Sequence, residues 1–367
     1  MIFFPIFLLG FISGFILFAK VLLYKGGGLP RDDCRISVII PARNEEKNLP
    51  FILQSLKEQT INPFEIIVVD DSSSDRTAEI AASYGARVIR NTTLPGGWTG
   101  KNWAVWNGYL NCSGDLLVFL DADVRLAPGA LEALIHTRER SGGVISVVPY
   151  HYTEEFYERL AQLPCLLGIF AFTSPFERNN GNKGLYGSCI VVTREDYEKI
   201  NGHSSIQGEL LDDLGLGRKF AEAGISVNNY IGYNMVSFRM YPGGLKSLVQ
   251  GFGKGAVLST AVLKPVTVAL IAAWMAGLLA AEYATMFLVA FGHPWAMAFV
   301  VLYLLYTMQI IYINRWTGSY GKIVPVLHFL SSALFIFIMI YSIWMVTCLG
   351  YVSWKGRRIP VRRGRGT

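Results

Sequence analysis

Apolar residues fall in two patterns along the chain. In the first two thirds the runs are short and apolar on both faces: Ile36-Ser-Val-Ile-Ile-Pro41, Glu65-Ile-Ile-Val-Val-Asp70, Leu116-Leu-Val-Phe-Leu120 and Val144-Ile-Ser-Val-Val-Pro149. Such runs predict strands buried within a parallel sheet. A weaker strand is expected at Arg87-Val-Ile89. Helix signals lie between the strands. One helix is expected from the loop at Ala42–Glu46 to about Gln59, with Pro50 tolerated in its first turn. A second is capped by Ser72–Asp75 and closed by Gly85, and a third runs from Thr99 to about Asn111. Strand and helix alternate, so the expected fold class of residues 35–255 is α/β with a mostly parallel, Rossmann-like sheet.

The second pattern is long and apolar. Met1–Tyr24, Val266–Phe291, Pro294–Ile313 and Ile323–Val352 each reach the roughly 20 residues that cross a bilayer. The first lacks both the basic start and the small-residue cleavage site of a signal peptide, which makes it an anchor. Lys20 and Lys25 at its exit place the following domain on the cytosolic side. The expected order is an anchor at 1–24, a Gly-rich linker at 25–34, the globular domain, a membrane domain of about three helices at 256–354 and a basic tail at 355–367. Arg315 and Lys322 mark a cytosolic loop, and three spans then put the tail outside, against the positive-inside rule, so either one segment is re-entrant, or Phe156–Phe176 inserts, or the tail breaks the rule. Phe156–Phe176 is apolar but short and carries Pro164, which leaves an interfacial helix or a buried core helix. Glu282 is the one acid inside the long runs and faces either a neighbouring helix or a lipophilic ligand.

Composition agrees: 52% of the 367 residues are hydrophobic and 16% charged, too apolar for an ordinary soluble domain. The net charge of +6 owes much to Lys355, Arg357, Arg358, Arg362, Arg363 and Arg365 in the tail. A basic cluster beside an apolar span points to membrane lipids as partner rather than to nucleic acid. The five cysteines form no CxxC and no pairing pattern, which suits reduced, non-metal-binding thiols.

Two of the expected strands stop at carboxylates, one at Asp70-Asp71 and one at Asp121-Ala-Asp123. Charge at the ends of buried strands is costly unless something pairs with it. In open α/β sheets that end is also where ligands bind. Residues i and i+2 of a strand share a face, so Asp121 and Asp123 are expected to turn toward one hard cation. With diphosphate oxygens they form a site suited to Mg²⁺ or Mn²⁺. A lone Asp-x-Asp also fits a solvated turn. A third acidic station, Asp212-Asp213, follows Gly208-Glu-Leu-Leu211; its plain alternative is a pair of carboxylates serving a helix dipole.

Together these segments resemble the family 2 glycosyltransferases. The resemblance rests on Ile39-Ile-Pro-Ala-Arg-Asn-Glu-Glu46, Ile67-Val-Val-Asp-Asp-Ser-Ser73 with Asp75, and Leu120-Asp-Ala-Asp-Val124. Pro95-Gly-Gly-Trp-Thr-Gly-Lys-Asn-Trp-Ala104 resembles a narrower, membrane-attached branch related to carotenoid-acid glycosyltransferases such as the 4,4'-diaponeurosporenoate enzymes. The resemblance implies a GT-A fold and a UDP-sugar donor. It implies that Pro41, Glu45 and Asp70 or Asp71 hold the uridine, and that Asp121 and Asp123 hold the metal and the sugar diphosphate. Asp213 falls on the family's general base, with Asp212 in place of the Glu before it. Gly187, Ser188 and Cys189 would line the acceptor space. A carboxylate that accepts the uracil N–H supplies base selectivity. Lys101, just inside a helix start, is either a phosphate partner or a surface lysine. Trp98 and Trp103 either stack on a sugar or cover the core.

Processive relatives carry Gln-x-x-Arg-Trp where this chain has Gln250 without the Arg and Trp, which argues against polymer synthesis. Lys254 stands near the place of the missing cation. The expected activity is inverting, metal-dependent transfer of one sugar, glucose from UDP-glucose, to a lipophilic acceptor such as a carotenoid acid. A polyprenyl-phosphate or ceramide-type acceptor remains open, as does a non-catalytic membrane scaffold.

Overall fold

The computed structural model describes residues 3–25, 34–178, 180–255, 262–354 and 357–360. Residues 26–33 of the expected linker at 25–34 and, of the basic tail, residues 355, 356 and 361–367 lie outside the described residues, as does the side chain of Lys254. In chain order the elements are α1 (Phe3–Leu17), β1 (Ile36–Ala42), α2 (Leu49–Lys57), β2 (Glu65–Asp71), α3 (Thr77–Ser83), β3 (Arg87–Asn91), α4 (Gly100–Leu110), β4 (Leu116–Leu120), β5 (Val124–Leu126), α5 (Ala130–Ser141), β6 (Val144–Val148) and β7 (Tyr150–His151). There follow α6 (Phe156–Arg159), α7 (Gln162–Thr173), β8 (Cys189–Thr193), α8 (Arg194–Lys199), α9 (Asp212–Glu222), β9 (Val227–Ile231), β10 (Val236–Phe238), α10 (Leu245–Gly255), α11 (Pro265–Ala290), α12 (Ala296–Thr317), α13 (Ile323–Val326), α14 (His328–Trp344), β11 (Tyr351–Trp354) and β12 (Arg357–Pro360). The chain divides into two compact units, Val21–Tyr150 with Gly181–Arg239, and Met1–Lys20 with His151–Asn180 and Met240–Thr367.

The first unit is built on a seven-stranded sheet in the order β3-β2-β1-β4-β8-β6-β9. All its pairings are parallel except those of β8, which runs antiparallel to both β4 and β6. β4 and β6 are buried at every position, as their two-faced apolar runs predict. α4 lies hard against the sheet: a Cβ on Gly108 would come within 2.5 Å of Ile39 Cγ2 and 3.0 Å of Val69 Cγ2. The mixed α/β architecture is the one the strand runs imply. A strand within Gly184–Thr193 is what the family resemblance implies, but the reversed direction of β8 and the strands β9 and β10 were not foreseen. β8 begins at Cys189, after Gly184 and Gly187 have packed closely on α9, with a Gly184 Cβ only 2.3 Å from Leu214 Cδ2.

The second unit is helical. Four of its stretches are long and apolar enough to cross a membrane: Phe156–Glu177, Pro265–Ala290, Ala296–Thr317 and His328–Leu349. Three expectations meet the structure here. The first concerns Phe156–Phe176: the stretch Phe156–Glu177 has the length and composition of a span, while Leu163, Leu166 and Phe170 are buried as in a core helix, and Pro164 sits in the first turn of α7, where its missing N–H is no loss. Leu163, Leu166 and Phe170 of α7 pack with Leu17, Trp274 and Tyr306. The second concerns α1, whose 15 residues extend about 22 Å, less than the roughly 30 Å of a hydrocarbon core. Lys20 then seats its ammonium over the Trp316 ring at 3.4 Å. The third concerns Ile323–Val352, which is not one helix. It breaks at Leu327 (φ −99°, ψ 41°), winds into a π turn at Met345–Leu349 and ends at Gly350 (φ 69°) before the β11–β12 hairpin.

Small residues let α1 and α11 meet backbone to backbone, as in membrane helix pairs. A Cβ on Gly10 would lie 2.4 Å from the Ala273 carbonyl oxygen, and one on Gly277 would lie 2.1 Å from Tyr306 Oη and 2.9 Å from the Phe7 carbonyl oxygen. Polar side chains close the same seam. Trp274 Nε1 donates to Gln309 Oε1 at 2.8 Å, and Gln309 Nε2 donates to the Phe11 carbonyl at 2.8 Å. Glu282 faces a neighbouring helix: it is fully buried, accepts from Ser332 Oγ at 2.8 Å and pairs with His328. A Gly10→Val variant is expected to lose about 1–3 kcal/mol through overpacking, seen as a lower thermal midpoint in detergent. Gly168→Ala, which meets nothing within 4 Å, is the control and keeps its midpoint. An unchanged midpoint for Gly10→Val contradicts the α1–α11 seam.

Candidate active site

The carboxyl ends of β1, β2 and β4 set the site. β1 and β2 run in register with Pro41 beside Val69 and Ala42 beside Asp70. The loops that follow are stitched together. Asn44 N–H donates to Ser73 Oγ at 3.0 Å, Ser74 N–H to Asn44 Oδ1 at 2.9 Å, and Glu45 N–H to Thr77 Oγ1 at 2.8 Å. Asn44 (φ 53°) and Ser72 (φ 55°) adopt positive φ at these turns. Asp70 is buried and accepts from the Ser73 N–H at 3.0 Å, and the Glu45 carboxylate accepts from Asn48 Nδ2 at 2.8 Å. Asp71 is buried with Arg43 Nη1 3.9 Å from its carboxylate and 2.6 Å from its carbonyl. Of the expected capping run Ser72–Asp75, Asp75 accepts from the Thr77 N–H at 3.1 Å, while the N-cap position itself is Arg76, whose side chain makes no cap. Burial raises the Asp75 carboxyl, but hydrogen bonds from Thr77 and the Glu46 N–H outweigh this and hold it low.

A second cluster forms a tight cleft lined by Pro41, Lys101, Asp121, Gly187, Asp212 and Asp213 among others. Lys101 stands in the first turn of α4, which Thr99 caps by accepting from the Asn102 N–H. Its ammonium is 2.9 Å from Asp121 Oδ1 and 3.6 Å from Asp212 Oδ2. Burial alone lowers the Lys101 ammonium, yet the charges of Asp121, Asp212 and Asp213 raise it well above the usual lysine range. Asp212 and Asp213 open α9, whose N-terminal dipole favours carboxylates. Asp213 Oδ1 accepts from the Leu214 N–H at 3.0 Å. A Cβ on Gly187 would sit 3.2 Å from Asp213 Cβ and 3.4 Å from Lys101 Nζ, so only glycine leaves this wall clear. Ser188 fixes Asp121, whose N–H donates to the Ser188 carbonyl at 3.0 Å. Cys189 is fully buried, and burial pushes its thiol far up, which makes it inert.

The structure thus brings together Pro41, Lys101, Asp121, Asp212 and Asp213, and separately Glu45, Asp70 and Asp71. Asp121 and Asp123 do not lie on one strand face, as the expectation from strand alternation had them. β4 ends at Leu120, so both aspartates sit in the turn before β5 and strand alternation does not apply to them. Among the described residues no three His, Cys, Asp or Glu side chains form a ready metal cage. A hard cation completed by diphosphate oxygens and water asks for only one or two carboxylates, and the oxygen donors here fit that demand. The Lys101 ammonium already stands among them as a cation.

Two residues of the site escape the sequence reading. Asn102 is fully buried and donates through Nδ2 to the carbonyls of Ile206 (2.8 Å), Gln207 (3.2 Å) and Glu209 (3.3 Å), holding the loop that leads to Asp212. Its only signal was its place beside Lys101. His203 lines the cleft and had no signal beyond being one of five histidines. Trp98 and Trp103 meet edge to face at 5.2 Å, both half-buried.

Known proteins share this arrangement. The model of the family described as Glycosyl transferase family 2 matches residues 37–200. The 4,4'-diaponeurosporenoate glycosyltransferase of Staphylococcus aureus (strain USA300) is 33% identical over 335 residues, 89% of this chain and 89% of that protein. The protein of the same name from strain MRSA252 matches with the same identity and coverage. Among solved structures, the mannosyltransferase PcManGT from Pyrobaculum calidifontis, in complex with GDP-Man and Mn2+, superposes with a TM-score of 0.56 at 18% identity, over 93% of this chain and 95% of that one. At that identity the likeness is one of fold. The α/β sheet ending in these acidic stations, the family model and the long relatives lead to one conclusion: the chain is a glycosyltransferase of family 2, with a GT-A fold, in the branch of the 4,4'-diaponeurosporenoate glycosyltransferases.

Proposed function

We propose that this chain transfers glucose from UDP-glucose to the carboxylate of a carotenoid acid or a similar apolar acid, with inversion at the anomeric carbon. The observation that carries the reading is the convergence of Asp121, Asp212 and Asp213 on a single cation, Lys101, beside Pro41. The S. aureus relatives, named for a carotenoid acid, support the acceptor class. On this reading Pro41, Glu45, Asp70 and Asp71 hold the uridine, with one carboxylate accepting the uracil N–H. Asp121 and Asp123 hold Mg²⁺ or Mn²⁺. The ion would offset charge that develops on the leaving diphosphate. Lys101, at the start of α4, gives the phosphates a second positive partner. The helices long enough to cross a membrane supply a multi-pass attachment near the lipophilic acceptor, with the sheet unit in the cytosol.

Asp213 has two roles to choose between. A hydroxyl acceptor must lose its proton as it attacks, and a carboxylate base supplies about 10²–10⁴-fold there. A carboxylic acid acceptor is ionised near neutral pH and needs no base. Asp213 then orients the acceptor.

UDP binding to the full chain in detergent separates a transferase from a scaffold. Titration is expected to show binding that tightens when Mn²⁺ is added. Asp123→Asn is expected to abolish that increment and keep the thermal midpoint, because the residue lies in a turn. Equal affinity of parent and variant at all Mn²⁺ levels removes Asp123 from the metal site.

Asp213→Asn reports on the acceptor. With a lipid alcohol, turnover is expected to fall by about 10²-fold or more, with UDP affinity kept. With an apolar carboxylic acid the loss is expected to stay within about 10-fold, since no proton is taken. The base assignment fails if Asp212→Asn stops turnover with the alcohol while Asp213→Asn does not.

A further inference from the structure

The charge of the chain is split unevenly between its two units. The sheet unit carries nineteen lysines and arginines against twenty-two acids, whereas the helical unit carries fourteen against five. Those five are Glu154, Glu155, Glu158, Glu177 and Glu282. Three of them are buried and taken up by hydrogen bonds. Glu158 accepts from the N–H groups of Glu154 and Glu155, Glu177 from Thr267 Oγ1 and the Lys264 N–H, and Glu282 from Ser332 Oγ. The cations of this unit have few acids left to pair with. A basic excess on a body with apolar spans calls for anions from outside the chain.

Two of these cations meet at one ring. Lys20 follows α1, and Arg315 lies in the last turn of α12. Lys20 Nζ is 3.4 Å from the centre of the Trp316 indole, and Arg315 Cζ is 5.4 Å from it. Both residues are exposed, and neither side chain has an ion pair or hydrogen bond among the described residues. The indole face attracts the ammonium, and the macrodipole of α12 favours a cation at its end. Each effect accounts for one residue by itself. Two like charges at one indole still repel, and an anion that joins them removes the repulsion.

The place is that of a bilayer surface. α12 is long and apolar enough to cross a membrane and ends at Thr317, directly after Trp316. One turn back, Tyr312 meets the rings of Phe15 and Phe18 at 6.3 and 6.1 Å. Aromatic rings beside lysine and arginine heads at the end of a span mark the headgroup level.

We propose that Lys20 and Arg315, beside Trp316, form a binding site for the headgroup phosphate of an anionic phospholipid. The flat guanidinium takes two phosphate oxygens, and the ammonium meets a third as a point charge. A zwitterionic lipid carries its own cation next to the phosphate and suits the pair less well. The site rests on the membrane attachment proposed above and is independent of the transfer chemistry.

The test titrates the full chain, in detergent micelles, with phosphatidylglycerol or phosphatidylcholine and reads bound lipid by native mass spectrometry. The parent is expected to bind the anionic lipid more tightly. Lys20→Gln combined with Arg315→Gln is expected to weaken phosphatidylglycerol binding by about 10- to 30-fold, the worth of two cations at an anionic surface, and to leave phosphatidylcholine binding as it was. Lys246→Gln combined with Lys322→Gln removes the same charge from exposed positions of the same unit. This control is expected to lose less than about 3-fold, because distant exposed charges are screened. Where the first double variant does not fold, Arg315→Gln alone, which keeps Lys20 over its ring, is expected to lose about 5-fold. Equal binding of the two lipids by the parent, or equal losses in the two double variants, overturns the proposal. So does displacement of the lipid by inorganic phosphate, which would make this a site for a free anion. A chain that stays dissolved without detergent refutes the attachment and this site with it, whereas indifference to lipid charge in a chain that needs detergent refutes the site alone.

Discussion

Three carboxylates gathered in one tight cleft repel one another, and in the sheet unit a cation stands among them. Asp121 follows β4, and Asp212 and Asp213 open α9. Lys101, from the first turn of α4, sits 2.9 Å from the first and 3.6 Å from the second. Without it the cost of partly burying these charges would fall on the fold. Much of the local structure serves this contact. Thr99 caps α4, Asn102 ties it to the loop before α9, and Gly187 keeps the opposite wall bare. The helical unit is held differently, by small residues that bring α1 and α11 together and by buried polar pairs such as Trp274 with Gln309.

The same arrangement suits phosphate chemistry. An acidic cleft repels a diphosphate unless positive charge is supplied, and a lysine already paired with carboxylates is a store of such charge. On the proposed reading Asp121 and Asp123 would hold the divalent ion, which would offset the charge of the leaving diphosphate, and Lys101 would give the phosphates a second positive partner.

Much of this was legible in the sequence, for identifiable reasons. Strands apolar on both faces, such as Leu116–Leu120, announce a parallel sheet, and strands that stop at carboxylates announce where its chemistry lies. What could not be read depends on long-range geometry. Lys101 looked like either a phosphate ligand or a surface lysine until the fold set it against Asp121 and Asp212. Strand alternation placed Asp121 and Asp123 on one face, but the strand ends at Leu120, before either residue. The antiparallel β8 has the same apolar composition as its parallel neighbours, so its direction left no mark. In the helical unit, hydropathy overstated α1 and hid the break at Leu327, because neither the end of a helix nor a π turn changes how apolar a segment is. His203 was invisible for a plainer reason: what fixes its place in the cleft is a tyrosine six residues earlier that meets it across a glycine.

The measurement that bears most directly on the account is the product itself. The purified full chain would be incubated with UDP-glucose, Mn²⁺ and a long-chain polyene carboxylic acid, and the lipid fraction analysed by mass spectrometry and proton NMR. The account predicts a hexosyl ester with the β configuration at the anomeric carbon, formed only when the divalent ion is present. An ester of retained α configuration, or sugar found on lipid alcohols and never on the acid, would contradict it.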